Sequence, residues 1–185
     1  MASRLKGEVS KVIACDVDDA VLDNPGADET LVIQPDVPLP FEDGVFDLIV
    51  ADFVFEHIAN PARVSSELRR ILKTGGWLCA RAPNKYGPIS LMTRLIHNSR
   101  HSRALRWVQP ERHEIDVFPT VFKLNSKRDL ASWFPSDVFG HFSYRHEPEP
   151  SYFFNNRFVF VLMLFSNWLL PPVMKSSWLI FLWKK

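Results

Sequence analysis

The sequence predicts an α/β fold built on a mostly parallel sheet, and three observations carry that reading. Phe46–Ala51 (FDLIVA) is a short apolar run, about the length of one buried parallel strand. Trp77–Ala82 is a second such run, closed by Pro83. Between them Val64, Leu68, Ile71 and Leu72 recur at helical spacing, with Glu67, Arg69, Arg70 and Lys73 on the other face. A strand, a helix and a strand in that order form a crossover unit, the usual way to bring two strands parallel.

The ends of this unit are marked by residue type. Asn60 followed by Pro61 is a helix start: a side-chain cap, then a residue that needs no helical N–H. Gly75 and Gly76 are expected to stop the helix, with Gly75 at the left-handed closing position.

LPFEDGVFDLIV, then EHI.NP, then ELRRILKTGGWL, all between Leu39 and Leu78, resemble the second half of the class I S-adenosylmethionine-dependent methyltransferases, in their type 11 branch. Several elements match in the right order, whereas a helix ending in Gly-Gly would say little alone. The resemblance implies a Rossmann-like methyltransferase fold, with a mostly parallel sheet and an antiparallel last strand. It also implies S-adenosyl-L-methionine as cofactor.

Length and composition bound what remains. A chain of 185 residues is about one domain, long enough for a real core. A net charge of +1 argues against electrostatic binding of nucleic acid or membrane by the whole protein. Cys15 and Cys79 both fall on strands expected to be interior, which suggests reduced thiols and a cytoplasmic setting. No apolar stretch of signal-peptide type stands in MASRLKGEVSK.

In chain order, Val12–Cys15 reads as a strand closed by Asp16. VIACDVDDAVL resembles the family's second strand and the helix start after it. There an acidic residue accepts hydrogen bonds from both ribose hydroxyls, and Asp16 holds that position. Two acceptor oxygens suit the two donors of a vicinal diol. Val17 would then lie against adenine; the competing reading is that Asp16 only caps the next helix. Ala20–Asp28 should be a short helix broken by Asn24-Pro25-Gly26, and Thr30–Ile33 the next strand. Asp36, with Val37 beside it, stands near the family's adenine contact, or else makes an Asx turn between Pro35 and Pro38.

The family's first strand ends in a glycine-rich loop that lets backbone approach the methionyl part of the cofactor. Among the seven glycines only Gly75-Gly76 are close neighbours, and these belong to the later turn. The expectation is therefore a chain truncated before the first strand and helix of the pattern, with two inner strand edges unpaired and weak cofactor binding.

At the carboxyl end of the Phe46–Ala51 strand stand Ala51, Asp52, Phe53, Glu56 and His57, where open α/β sheets bind ligands. Ala51 belongs with Asp16, Val17, Asp36 and Val37 in the expected cofactor pocket. Phe53 replaces the first Glu of a Glu-x-x-Glu-His metal arrangement known in some relatives, so no metal is expected. His57, Asp52 and Tyr86 are the candidates to line the pocket and to act as base; His57 bonded to a nearby carbonyl is the plain alternative.

Residues 84–125 should form a lid over the acceptor site within one domain spanning 1–185. Pro88–Val108 has helical apolar spacing and carries Arg94, His97, Arg100, His101, Arg103 and Arg106, which could grip an anionic acceptor or merely solvate a helix. Only Trp107 offers stacking among these charges, so no nucleic-acid role is expected. Ser126–Phe134 reads as a helix with a Ser cap and Asp129 three residues on. Val138–His146 reads as a strand, Asn155–Leu170 as a very apolar segment ended by Pro171-Pro172, and Ser177–Trp183 as the last strand. The apolar segment is interrupted by Ser166 and Asn167 and falls short of a membrane span, which needs about 20 apolar residues. Peripheral membrane contact is open to it.

The expected activity is methyl transfer to a small-molecule or lipid-like acceptor, anionic or hydrophobic. The alternative is a non-catalytic remnant or truncated fragment that keeps the fold without binding cofactor. Acceptor identity and oligomeric state are not legible in the sequence.

Overall fold

The computed structural model describes residues 5–35, 37–87, 90, 119–146, 157–171, 174 and 177–185. Its strands are β1 (Ile13–Asp16), β2 (Glu29–Val32), β3 (Phe46–Asp52), β4 (Leu72–Pro83), β5 (Phe139–His146) and β6 (Ser177–Lys184). Its helices are α1 (Pro61–Ile71), α2 (Lys127–Trp133) and α3 (Arg157–Leu169). Among the described residues β1 and β2 form one parallel pair, and the remaining strands form a sheet in the order β3-β4-β6-β5. There β3 and β4 are parallel, and β6 runs antiparallel to both its neighbours. This is the Rossmann-like α/β arrangement with a reversed last strand.

The expected start signals are in place. The Asn60 side chain accepts from the Arg63 N–H at 3.3 Å, with Pro61 as the first helical residue. The Ser126 hydroxyl accepts from the Asp129 N–H at 3.1 Å. Each such cap contributes about 0.5–2 kcal/mol. Asp18 opens a 3-10 turn over Asp19–Asp23 in the same way, accepting from Ala20 N–H at 2.9 Å.

The end of α1 differs from expectation. The helix stops at Ile71, and Leu72 and Lys73 already belong to β4. Gly75, with φ of 82°, therefore turns the chain within the start of β4 rather than closing the helix. The register confirms an irregularity there: Phe46 pairs with Leu72, but Leu48 pairs with Trp77. A β-carbon on Gly76 would sit 2.9 Å from the Leu72 side chain and the Lys73 carbonyl, so the kink needs a bare residue there.

The LPFEDG loop owes its shape to α1. The Arg70 guanidinium donates to both Glu67 carboxylate oxygens at 3.0 and 2.9 Å, and to Asp43 at 2.8 Å. It also donates to the Phe41 and Leu39 carbonyls at 2.6 and 3.0 Å, and Glu67 accepts from the Leu39 N–H at 2.9 Å. A planar fork of donors is what lets one side chain hold two loop carbonyls and two carboxylates.

The core lies on one face of the larger sheet. Leu78, Ala80 and Ala82 of β4 and Trp178, Ile180 and Leu182 of β6 are buried with Leu130 and Phe134 of the α2 segment and with Phe55 and Leu124. Leu68 of α1 packs against the same cluster. Alternate residues of the same strands point the other way, to a face carrying exposed Leu48, Trp77, Phe142, Tyr144 and Trp183. Of the two cysteines expected to be interior, Cys15 is exposed and Cys79 half-buried, and both are free thiols. Cys15 lies on a two-stranded sheet too small to bury both sides, and Cys79 on the face opposite the core cluster. Among the described residues no helix is long and apolar enough to cross a membrane.

Candidate active site

The carboxyl ends of β1, β3 and β4 bring the candidate residues into view. At the end of β1 the Asp16 carboxylate is exposed. Its Oδ1 accepts from the N–H groups of Val17 at 2.6 Å and Asp18 at 3.2 Å, which fixes the side chain over its own loop. Both the capping reading and an outward-facing Oδ2 are thus compatible with the geometry. Val17 is exposed beside it. Val37 is also exposed, in a turn whose N–H donates to the Gln34 carbonyl at 3.3 Å. Asp36 lies outside the described residues.

At the end of β3, Asp52 is held by Arg81 of β4 through two bonds, Nε to Oδ1 at 2.7 Å and Nη2 to Oδ2 at 3.0 Å. The same guanidinium lies over the Phe53 ring, 4.6 Å from its centroid. Both Asp52 oxygens are therefore engaged by a cation that neighbours it in the sheet register. Ala51, one residue earlier, turns its side chain toward the core, so only its backbone can address a ligand.

His57 ends a 3-10 turn over Phe55–His57. Its Nδ1 lies 3.2 Å from the Pro119 carbonyl oxygen. A carbonyl can only accept, so in this contact it is Nδ1 that donates. Segment 119–125 is stapled to the turn by further bonds. The Val121 and Phe122 N–H groups both donate to the Glu56 carbonyl, at 2.7 and 3.1 Å, and Lys123 donates to the Ala59 carbonyl at 2.7 Å. The Asn125 amide donates to the Pro83 carbonyl at 3.0 Å, and the Lys85 N–H to the Asn125 carbonyl at 3.0 Å, tying the same segment to the end of β4. Tyr86 is exposed in the turn after β4, its N–H donating to Asn84 Oδ1 at 3.2 Å.

Phe53 and Phe122 both have left-handed backbone, at φ of 55° and 52°, and are the two non-glycine residues with positive φ among those described. Such a conformation is uncommon for a bulky residue and gathers at functional sites. Here both strained residues border the turn that carries His57.

The structure thus brings Asp52 and His57 to one loop cluster and places Asp16 and Tyr86 at the ends of neighbouring elements. Of the expected lid, residues 88, 89 and 91–118 lie outside the described residues, including Arg94, His97, Arg100, His101, Arg103, Arg106 and Trp107. Sequence reasoning passed over Arg81 and the Pro119–Asn125 wall. An arginine inside the apolar run Trp77–Ala82 was the available signal for the first, since a charge on a strand calls for a partner. Nothing in the sequence marks the second, because its role comes from contacts more than 60 residues away.

The sheet order and its reversed last strand match the Rossmann-like fold of class I methyltransferases. Residues 1–80 match a family model described as a methyltransferase domain. A SAM-dependent methyltransferase from Thermotoga maritima, described as a possible histamine N-methyltransferase, superposes with a TM-score of 0.61 at 14% identity. The match covers 100% of this chain and 78% of that one. A SAM-dependent methyltransferase from Archaeoglobus fulgidus gives a TM-score of 0.53 at 14% identity, covering 94% of this chain and 75% of that one. An uncharacterized 37.1 kDa protein in a transposon of Streptomyces fradiae is 44% identical over 46 residues, which span 25% of this chain and 13% of that protein. The first 80 residues thus resemble a methyltransferase domain, and the chain shares the fold of these SAM-dependent methyltransferases.

Proposed function

We propose that this chain binds S-adenosyl-L-methionine at the carboxyl ends of β1 and β3 and takes part in methyl transfer to a small-molecule or lipid-like acceptor. The observation that carries the reading is Asp16: its carboxylate stands at the end of β1, pinned through Oδ1 by its own loop, with exposed Val17 beside it. That arrangement suits a ribose diol at the carboxylate and an apolar ring edge at Val17. When bound, the cofactor supplies an already activated methyl group, displaced in line by an O, N or C nucleophile. The protein's part is alignment and exclusion of water. His57, oriented by Nδ1 donating to the Pro119 carbonyl, is the candidate base for an acceptor proton. Asp52, paired with Arg81, suits a positioning role better than that of a base.

The alternative, a fold kept without cofactor binding, draws support from the engagement of Asp16 Oδ1 within its own loop. Calorimetric titration with S-adenosylhomocysteine separates the two. Saturable binding is expected, and Asp16→Ala should weaken it about ten- to hundredfold, the roughly 1.5–3 kcal/mol of bonds to a charged acceptor. A folded chain that binds nothing at millimolar ligand would sink the proposal and favour the alternative. Equal affinity in Asp16→Ala would move the ribose site elsewhere.

A further inference from the structure

A cavity of about 440 Å³ opens between α2 and β5. Its volume falls within the range of small-molecule sites. None of the candidate active-site residues lines it. In the order β3-β4-β6-β5 its strand stands three strand spacings from β3, about 14 Å. The cavity is therefore separate from the cluster at Asp52 and His57.

Its walls carry one kind of charge. Leu130 and Phe139, both buried, belong to the apolar part of the lining. Lys127, His141 and Lys185 supply nitrogen donors, and Ser136 and Ser143 add two hydroxyls. Of the described residues that line the cavity, none is acidic. The one carboxylate of α2, Asp129, is turned to Lys85 at 3.2 Å. The donors are also held in place. Lys185 Nζ donates to the Ser136 carbonyl at 2.5 Å, which leaves its ammonium further N–H groups. His141 Nε2 lies 2.6 Å from the Phe134 carbonyl and so donates to it. Lys127 Nζ and Arg145 Cζ each lie 5.5 Å from the centroid of the Trp178 ring.

We propose that this cavity binds a phosphate-type oxyanion with two charged centres, a diphosphate in the simplest case. An oxyanion offers acceptors on every side, which matches a wall of donors, and lysine serves phosphate as a point charge. The spacing of the cations calls for more than one anionic centre. Lys127 stands by Trp178, which pairs with Arg145 just beyond Ser143. The backbone N–H of Lys185 donates to the Val138 carbonyl, beside Phe139. Phe139 and Ser143 are four strand positions apart, roughly 13 Å. A single carboxylate reaches one end of that span, whereas a diphosphate with its attached group can address both, with His141 between them.

Calorimetric titration of the 185-residue chain with inorganic pyrophosphate, at constant ionic strength, tests the idea. Saturable binding is expected. Lys127→Gln and Lys185→Gln should each weaken it about tenfold or more, and Lys127→Arg should largely keep it. Both lysines are exposed, so the fold does not depend on them, and far-UV circular dichroism checks this. Lys11→Gln is the control. Lys11 pairs with Glu29 at 2.7 Å beside the other sheet, and its loss should leave pyrophosphate binding unchanged. A second arm separates a soluble ligand from a lipid headgroup. Co-sedimentation with phosphatidic acid vesicles that is lost in the two lysine variants would assign the anion to a headgroup; pyrophosphate binding without vesicle uptake assigns it to a soluble diphosphate. No saturable binding at millimolar pyrophosphate would overturn the proposal. So would binding indifferent to Lys127→Gln and Lys185→Gln, or weakened equally by Lys11→Gln.

Discussion

The two faces of the β3-β4-β6-β5 sheet are made from alternate residues of the same strands, yet they differ sharply in what they meet. On β6, Trp178, Ile180 and Leu182 are buried against α2 and its flanking segments, while Leu179 and Phe181 between them stay partly exposed and Trp183 is exposed. The residue types are equally apolar on both sides. The difference is therefore not one of hydrophobicity. It lies in which described helices return to that side: α1 and α2 pack on one face, and among the described residues no helix packs extensively on the other. A strand of mixed Trp, Leu, Ile and Phe reads as buried on both faces, and only packing tells which half of it carries the stability of the protomer.

The sharpest way to break this comparison is a pair of truncations one residue apart. Ile180→Ala removes a fully buried side chain and should cost about 2–5 kcal/mol in urea unfolding. Leu179→Ala, on the opposite and less buried face, should cost clearly less, about 1 kcal/mol. Equal losses would mean that the second face is as well packed as the first. Next in size is the cap of the helix that closes the covered face. Ser126→Ala should lower stability by about 0.5–2 kcal/mol, read from the shift in denaturation midpoint, with Ser126→Gly less harmful.

The smallest effect concerns the loop fastened to α1, and it depends on pH. Hydrogen bonding from Arg70 is the main reason that the Glu67 carboxyl titrates below its ordinary range. Its folded-state pKa is depressed, so its stabilisation is fully present above the usual carboxylate pKa and fades as pH falls through the depressed value. Glu67→Gln should therefore cost about 1 kcal/mol near neutrality. The gap between the two proteins in thermal melts should close as the solution is acidified toward and below that value. A gap that stays constant down to strongly acid pH would show that packing of the longer loop, not the carboxylate, does the holding.

Much was written in the chain locally. The Asn60 and Ser126 caps, Pro61 at the first helical position, and the strands around Phe46–Ala51 and Ser177–Trp183 follow from side-chain chemistry acting within a few residues. So does the likeness of the Leu39–Leu78 segment to a methyltransferase, which is carried by the order of its sequence motifs. Those features are local or nearly so, and local propensity suffices to read them. Three things needed the tertiary structure. The helix before Gly75 ends at Ile71 because β4 begins pairing with β3 at Leu72, a demand that comes from another strand. Asp52 proves to be an ion pair with Arg81 because parallel register sets those two side by side. His57 Nδ1 acquires a partner in Pro119, a carbonyl delivered by a segment 62 positions away. Sequence alone determined which elements form and what kind of cofactor chemistry they resemble. Which face is buried, which carboxylate is engaged and which histidine nitrogen meets a carbonyl were decided only by long-range contacts, whose partners no local propensity encodes.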